Sequence, residues 1–273
     1  LNTMEGMFEG CYSLRNVRLT NEFNVTNVTS FKNMFNGCTA LQTVNLQDGF
    51  TTTGELDPDA TCTMEGMFKG CFALQEATFP ASFTGNGVTS TASMFEGCNT
   101  VTNIDINGLL MSHVTTMNSM FKNCQLLDVL QLPANMGTPL CTDMASMFEG
   151  CATLTDLMAL NTFDTSAVGG TDGSTGSLNG MFKGCANLST INVTAFDVSG
   201  TTGLNGMFQN CRSLRQLDLS TWQLFATAGS VDTNYMFAGD NNLVTIWVSS
   251  LWNVDSIKTT DNTRMFDDCR SIV

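Results

Sequence analysis

Cysteine is the residue type whose number and spacing in this chain invite a chemical reading. The sequence holds 11 of them, and nine close a five-residue string of the kind "MFEGC". The Met-Phe pair of that string begins at Met7, Met34, Met67, Met94, Met120, Met147, Met181, Met207, Met236 and Met265. Cys follows at Cys11, Cys38, Cys71, Cys98, Cys124, Cys151, Cys185, Cys211 and Cys269, and Asp240 takes its place in the ninth copy. A metal site wants ligands at short intervals such as CxxC, usually with His, yet these cysteines stand 26 to 58 residues apart and His113 is the single histidine. A nucleophile wants a base in reach, and His113, in "LLMSHVTTM", reads as a capping or surface residue. The acidic run Glu55, Asp57 and Asp59 offers carboxylates to Ca²⁺ but lacks the spacing and glycine of a calcium loop. No catalytic residue, metal or cofactor is therefore expected, and the chain does not read as an enzyme.

The elements that would position these thiols are repeated with them. Three residues past each Cys position comes an aliphatic residue, followed by two more in an LxxLxL pattern: Leu14, Val17, Leu19; Leu41, Val44, Leu46; Leu188, Ile191, Val193; Leu214, Leu217, Leu219. Its last half alternates as a strand does. Eleven or twelve residues past the Cys position stands a large apolar residue: Phe23, Phe50, Phe83, Leu110, Met136, Phe163, Phe196, Trp222 and Trp252. From there to the next Met-Phe the length varies between 10 and 18 residues, so all insertions fall in one loop. Met4, Met7 and Cys11, or Met117, Met120 and Cys124, share the three-to-four spacing of a helix stripe and predict a short helix at each Met-Phe. No single coil can bury both faces alone; stacked coils can, with parallel strands about 4.8 Å apart. The expectation is an α/β solenoid of about ten coils, a parallel sheet on one side and short helices on the other, filling residues 1–273 as one array.

In such a stack neighbouring cysteines lie close enough for disulfides, but parallel side chains in a packed column lie side by side, and free buried thiols are the favoured reading. The residue after Phe reads Lys69, Glu96, Lys122, Glu149 and Lys183 through the middle copies, which predicts a ladder of alternating charge.

The pattern "VTxMxxMFxGCxxLxxLxL" followed by "FDTS" or "FNVT" resembles the BspA-like leucine-rich repeats of roughly 25 residues, found in bacterial and protist surface proteins. The resemblance spans the whole chain. It implies a leucine-rich-repeat solenoid, a surface location and adhesion or recognition, and it brings no catalytic residue with it. Asp240 at a Cys position and Ala159 at a strand position depart from the pattern.

Charged residues make up 13% of the chain and the net charge is −14, which excludes nucleic acid and anionic membrane surfaces as partners. No run of roughly 18 apolar residues is present to insert into a bilayer. Sequons at Asn24, Asn27, Asn187 and Asn192 would accept glycans in an extracellular setting. The strand position between the two inward residues holds Arg18, Asn45, Thr78, Asp105, Gln131, Met158, Asn192, Asp218 and Trp247, a column expected to face solvent. Trp247 is the leading partner-contact residue there, with Arg18, Asp105, Gln131 and Asp218 beside it. Trp222 and Trp252 fall in the apolar column and are expected in the core.

With no polar cap at either end, the array is expected to be a segment of a longer chain. Two functions fit: an extracellular or cell-surface recognition solenoid that binds a protein or glycan through its sheet face and edge loops, and a structural subunit of a surface fibre or matrix that packs on further copies.

Overall fold

A computed structural model describes residues 2–19, 25, 28–46, 62–80, 83, 87–134, 136–157, 160, 162–169, 177–224, 230–258 and 264–271. Phe23, Asn24, Asn27, Phe50, the Glu55–Asp59 run, Met158 and Ala159 lie outside them.

The backbone is a parallel β-solenoid. The strands of the LxxLxL segments are β1 (Asn16–Leu19), β2 (Thr43–Leu46), β4 (Glu76–Thr78), β6 (Asn103–Asp105), β7 (Val129–Gln131), β8 (Asp156–Leu157), β9 (Thr190–Ile191), β10 (Gln216–Leu219) and β11 (Thr245–Val248). They pair in parallel as β1-β2, β4-β6-β7, β8-β9 and β10-β11, each residue opposite its repeat equivalent, as Ile104 is to Ala77 and Leu130. A second parallel ladder runs just before each Met-Phe. There β3 (Cys62–Thr63) pairs β5 (Val88–Ser90), and single bridges extend the line from Thr116 through Asp143, Ser177 and Gly203 to Asp232.

The expected short helices do not form; among the described residues there is no α-helix. The Met-Phe segments are hydrogen-bonded turns instead, and the N–H groups show why. Met34, Asn36 and Cys38 donate three residues back, to Phe31, Asn33 and Phe35, at 3.0–3.1 Å. The intervening Asn33, Phe35 and Gly37 donate to Glu65, Met67 and Lys69 of the next coil at 2.8–2.9 Å. A helix would need every one of these donors for itself. The turn needs a positive φ at every fourth residue, met by Asn33 at 55° and Gly37 at 73°, residue types that tolerate it. The spacing of Met and Cys was thus that of a repeated tight turn.

Packing follows the same register. The Met-Phe rings stack in one line from Phe8 through Phe35, Phe68, Phe95, Phe121, Phe148, Phe182, Phe208 and Phe237 to Phe266, with centroids 5.1–5.8 Å apart and planes within 16°. Each such contact contributes about 1 kcal/mol beyond its area burial. Trp222 is fully buried, donates from Nε1 to Val193 O at 2.9 Å and stacks on the half-buried Trp252. One apolar position shifts by a residue: Leu109 is buried and Leu110 is 49% exposed, so that coil turns its corner earlier than the column suggested.

Asp240 is the exception in the cysteine column. It is fully buried; its Oδ1 accepts from Cys211 N at 2.7 Å, and its Oδ2 has no hydrogen-bond partner among the described residues. Burial, only partly offset by that N–H, pushes its carboxyl up to about 8. An unfolded Asp ionises near about 3.9, so folding takes up a proton between about pH 4 and pH 8, and stability falls as pH rises through that window. Asp240→Cys supplies the thiol found in the other copies and should stabilise the fold by an amount on the order of 1–3 kcal/mol at pH 7. Urea midpoints at pH 5 and pH 8 check this: the gain should be larger at pH 8, and a gain independent of pH would contradict the buried-carboxyl account.

Candidate recognition surface

The thiols are the first side chains to test as a site, and the fold removes them from chemistry. All 11 are free, and nine are buried. From Cys38 onward each Sγ of the repeat column donates backward to the carbonyl of the previous coil's Phe, as Cys98 does to Phe68 and Cys151 to Phe121, over 2.8–3.2 Å. The thiol satisfies a carbonyl instead of meeting a substrate. Burial pushes Cys98 and Cys185 up to about 12, with the backbone N–H beside each pulling weakly the other way, and it raises Cys124, Cys151 and Cys211 well above the ordinary thiol range. A thiolate nucleophile needs the opposite shift. His113 is exposed, its Nδ1 3.2 Å from the Ser112 hydroxyl. Among the described residues no three His, Cys, Asp or Glu side chains converge as a metal site would require.

The outward side of the strands is a different surface. The register places the expected residues in one column: Thr78 opposite Asp105, Asp105 opposite Gln131, and Asp218 opposite Trp247. Arg18 occupies the same position on β1. Arg18, Gln131, Asp218 and Trp247 are exposed and Asp105 is half-buried. The column is interrupted where strand pairing breaks, so Asp105 and Gln131 form one neighbouring pair and Asp218 and Trp247 another. Trp247 is 46% exposed. Hydrogen bonds from the Ser220 hydroxyl and N–H hold the Asp218 carboxyl below its ordinary range, keeping a fixed negative charge beside the indole. Val248, expected inward, is 57% exposed, and Ile246 is half-buried. These residues border an apolar cavity of about 700 Å³ with Leu219, Trp252, Val254 and Phe266. The strand alternation marks which residues point inward, whereas their exposure depends on what packs over them.

Of the sequons, Asn187 is exposed; Asn192 is half-buried, and its Oδ1 accepts from the Thr194 N–H and hydroxyl at 3.1 and 2.7 Å. The charge ladder lies on the turn face. Lys69 meets Glu96 at 2.8 Å, and Lys122 and Lys183 meet Glu149 at 2.8 and 4.0 Å. Burial raises the two glutamates, but hydrogen bonds from Lys69 and Ser93, and from Lys122 and Ser146, outweigh it and leave both lowered. Sequence reasoning passed over the neighbouring column, the residue after each Cys, where Tyr12 and Phe72 are exposed aromatics. Their signal was available as two aromatic letters in a position otherwise polar or small.

Overlapping stretches of the chain, residues 1–101, 49–132, 89–174 and 133–243, match the family described as "Mycoplasma protein of unknown function, DUF285". The overlap reflects the internal repeat, each match spanning several coils. No curated protein matches the chain. Among solved structures it is similar to a leucine-rich repeat protein from Bacteroides ovatus, at 14% identity over 93% of this chain and 78% of the other, with a TM-score of 0.28. It is similar to the leucine-rich repeat protein of T. pallidum at 20% identity over 56% and 72%, with a TM-score of 0.36. A leucine-rich cell surface protein from Faecalibacterium prausnitzii matches at 18% identity over 92% and 83%, with a TM-score of 0.27.

Raised thiols make stability sensitive to alkali. Each buried thiol ionises in the unfolded chain near about pH 8.5 but much later in the folded one, so the stabilisation is intact below that pH and is lost as pH rises toward 12. The loss approaches about 1.4 kcal/mol per pH unit for each fully buried thiol. Urea midpoints from pH 8 to pH 10.5 should fall steeply, and less steeply in Cys98→Ala; a flat profile would mean the thiols are not buried as described.

Proposed function

We propose, from the premise that this chain belongs to the DUF285 family and is built of BspA-like leucine-rich repeats, that it is a non-catalytic recognition solenoid acting at or outside a cell surface. Its ten Met-Phe copies count as ten coils in this reading. Its partner is a protein or glycan on another surface, met by the outward strand column and the edge loops. The observation that carries the reading is a division of labour: the recurring Met, Phe, Cys and Leu positions are consumed in packing, whereas Arg18, Asp105, Gln131, Asp218 and Trp247 fall at one repeat position on three separate sheets, without a common chemistry. A scaffold that holds its core letters fixed and varies an aligned outward column is suited to binding by complementarity. Trp247 is its anchor, since a large exposed indole beside a fixed carboxylate has the character of an interface hot spot. Among the described residues no helix is long and apolar enough to cross a membrane, and Asn187 offers an exposed glycan acceptor.

A structural subunit of a surface fibre is the second reading. In it the outward faces of the coils would pack laterally on further copies.

Beads coated with the protein, flowed over cells and over immobilised matrix proteins and glycans, test the first reading. Trp247→Ala should weaken adhesion about 30-fold with the melting temperature unchanged, and Lys183→Ala on the turn face should not. Equal adhesion by the two variants would remove the sheet face from the account. Concentration-dependent assembly without adhesion would favour the fibre.

A further inference from the structure

A second surface differs from the strand column in both position and chemistry. Between the charge ladder and the residues that follow each Cys runs a cleft of about 440 Å³ over the second to fifth Met-Phe turns. Its floor is bare backbone at Gly70 and Gly97, whose φ values of 70° and 79° favour glycine. The Phe72 ring leans over that floor: a Cβ placed on Gly97 would lie 3.5 Å from its Cε1. Half of Phe72 is nonetheless exposed. Carboxamides complete the lining, at Asn36, Asn99, Asn123 and Gln125. With its amide turned to satisfy both bonds, Asn99 donates from Nδ2 to Gly97 O at 3.1 Å and Asn123 O at 2.9 Å, which fixes the side chain while its Oδ1 takes part in neither bond.

Three features select the ligand. Charge is cancelled locally, since Lys69 and Glu96 are paired at 2.8 Å within the lining. A phosphate, a sulfated chain or a basic peptide therefore finds no free counter-charge, and the chain's net charge of −14 opposes anions further. The floor has no backbone donor to give a peptide strand: Gly70 N is bonded to Glu96 O and Gly97 N to Lys122 O, both at 2.8 Å. Strand addition, which draws its affinity from main-chain hydrogen bonds, finds no donor at these two glycines. What is offered is an exposed aromatic face beside amides that both donate and accept. That combination matches a ring with an apolar C–H face and a rim of hydroxyl groups.

We infer that the cleft over Gly70 and Gly97, with Phe72 as its platform, binds a neutral oligosaccharide. Phe72 would stack on one sugar ring, and Asn99, Asn123 and Gln125 would hydrogen-bond the hydroxyls of the rings that follow along the solenoid. The site is independent of Trp247, which lies on a strand and not on the turn face.

Titration of the ¹⁵N-labelled chain with cellohexaose, laminarihexaose and maltohexaose, followed by NMR shift changes, tests this. At least one neutral hexaose should bind with a Kd of about 1 mM or tighter, shifting the Gly70, Gly97 and Asn123 amides. Phe72→Ala should weaken it about tenfold or more, while Phe72→Trp and Trp247→Ala keep it. Phe72 is surface-exposed, and an unchanged melting temperature in Phe72→Ala would show that lost binding is not lost folding. Absence of shifts with all three sugars, binding indifferent to Phe72→Ala, or preference for a heparin hexasaccharide over the neutral ones would overturn the assignment.

Discussion

Every second N–H of the Met-Phe turn is spent on the next coil, and the rest of the molecule depends on that expenditure. In the second turn Phe35 N reaches Met67 O at 2.8 Å while Met34 N closes back on Phe31 O at 3.1 Å, and the alternation recurs in turn after turn. A chain that divides its donors in this way cannot be helical at the corner, must visit positive φ at regular intervals, and must hold its coils in strict register. The register brings Phe over Phe and Cys Sγ under the preceding Phe carbonyl, where a thiol is small enough to fit and able to donate. Ring stacking and thiol hydrogen bonds are consequences of a backbone ladder that joins each turn to the next.

The sequence made the repeat, the parallel register and the charge ladder legible because each depends on which residues are equivalent, and equivalence is written in spacing. Lys69, Glu96, Lys122 and Glu149 could be placed on one face without knowing what that face looked like. The local conformation was less legible. Met4, Met7 and Cys11 stand at intervals of three and four in a helix and in a run of tight turns alike, and the difference lies in where the N–H groups go, which side-chain periodicity does not record. The glycines, asparagines and serines before most of the Met and Cys positions are the available clue, because positive φ at Gly66 and Gly70 is foreign to a helix. Of the outward residues, Trp247 and its column followed directly from strand alternation. Phe72 did not, since its exposure depends on a turn whose shape the sequence left open. Val248 and Leu110 show the same limit: a repeat column assigns an equivalent position, while exposure depends on the neighbours that cover it.

Function follows from what the ladder leaves over. Residues equivalent from coil to coil are used up in holding coils together, so the proposed recognition rests on positions whose identity the packing does not constrain: the strand column around Asp218 and Trp247, and the turn-face cleft around Phe72. Asp240 marks the boundary between the two kinds of position. It sits where packing demands a small donor, and it stands as a buried carboxyl with one oxygen unpaired. The Cys211 N–H is shared there between Phe208 O at 3.1 Å and Asp240 Oδ1 at 2.7 Å.

The Met-Phe-Cys turn is wall and not site, its thiols free and, from Cys38 onward, set against backbone carbonyls. Counting iodoacetamide adducts by intact mass, without reductant, tests it most directly. In native buffer the account predicts rapid labelling at the exposed Cys11, slow labelling at the half-buried Cys269 and none at Cys124 or Cys151, followed by all 11 sites in denaturant. Fewer than 11 adducts after denaturation would reveal disulfides, and rapid native labelling of Cys124 would place a reactive thiol where this structure has a packed one.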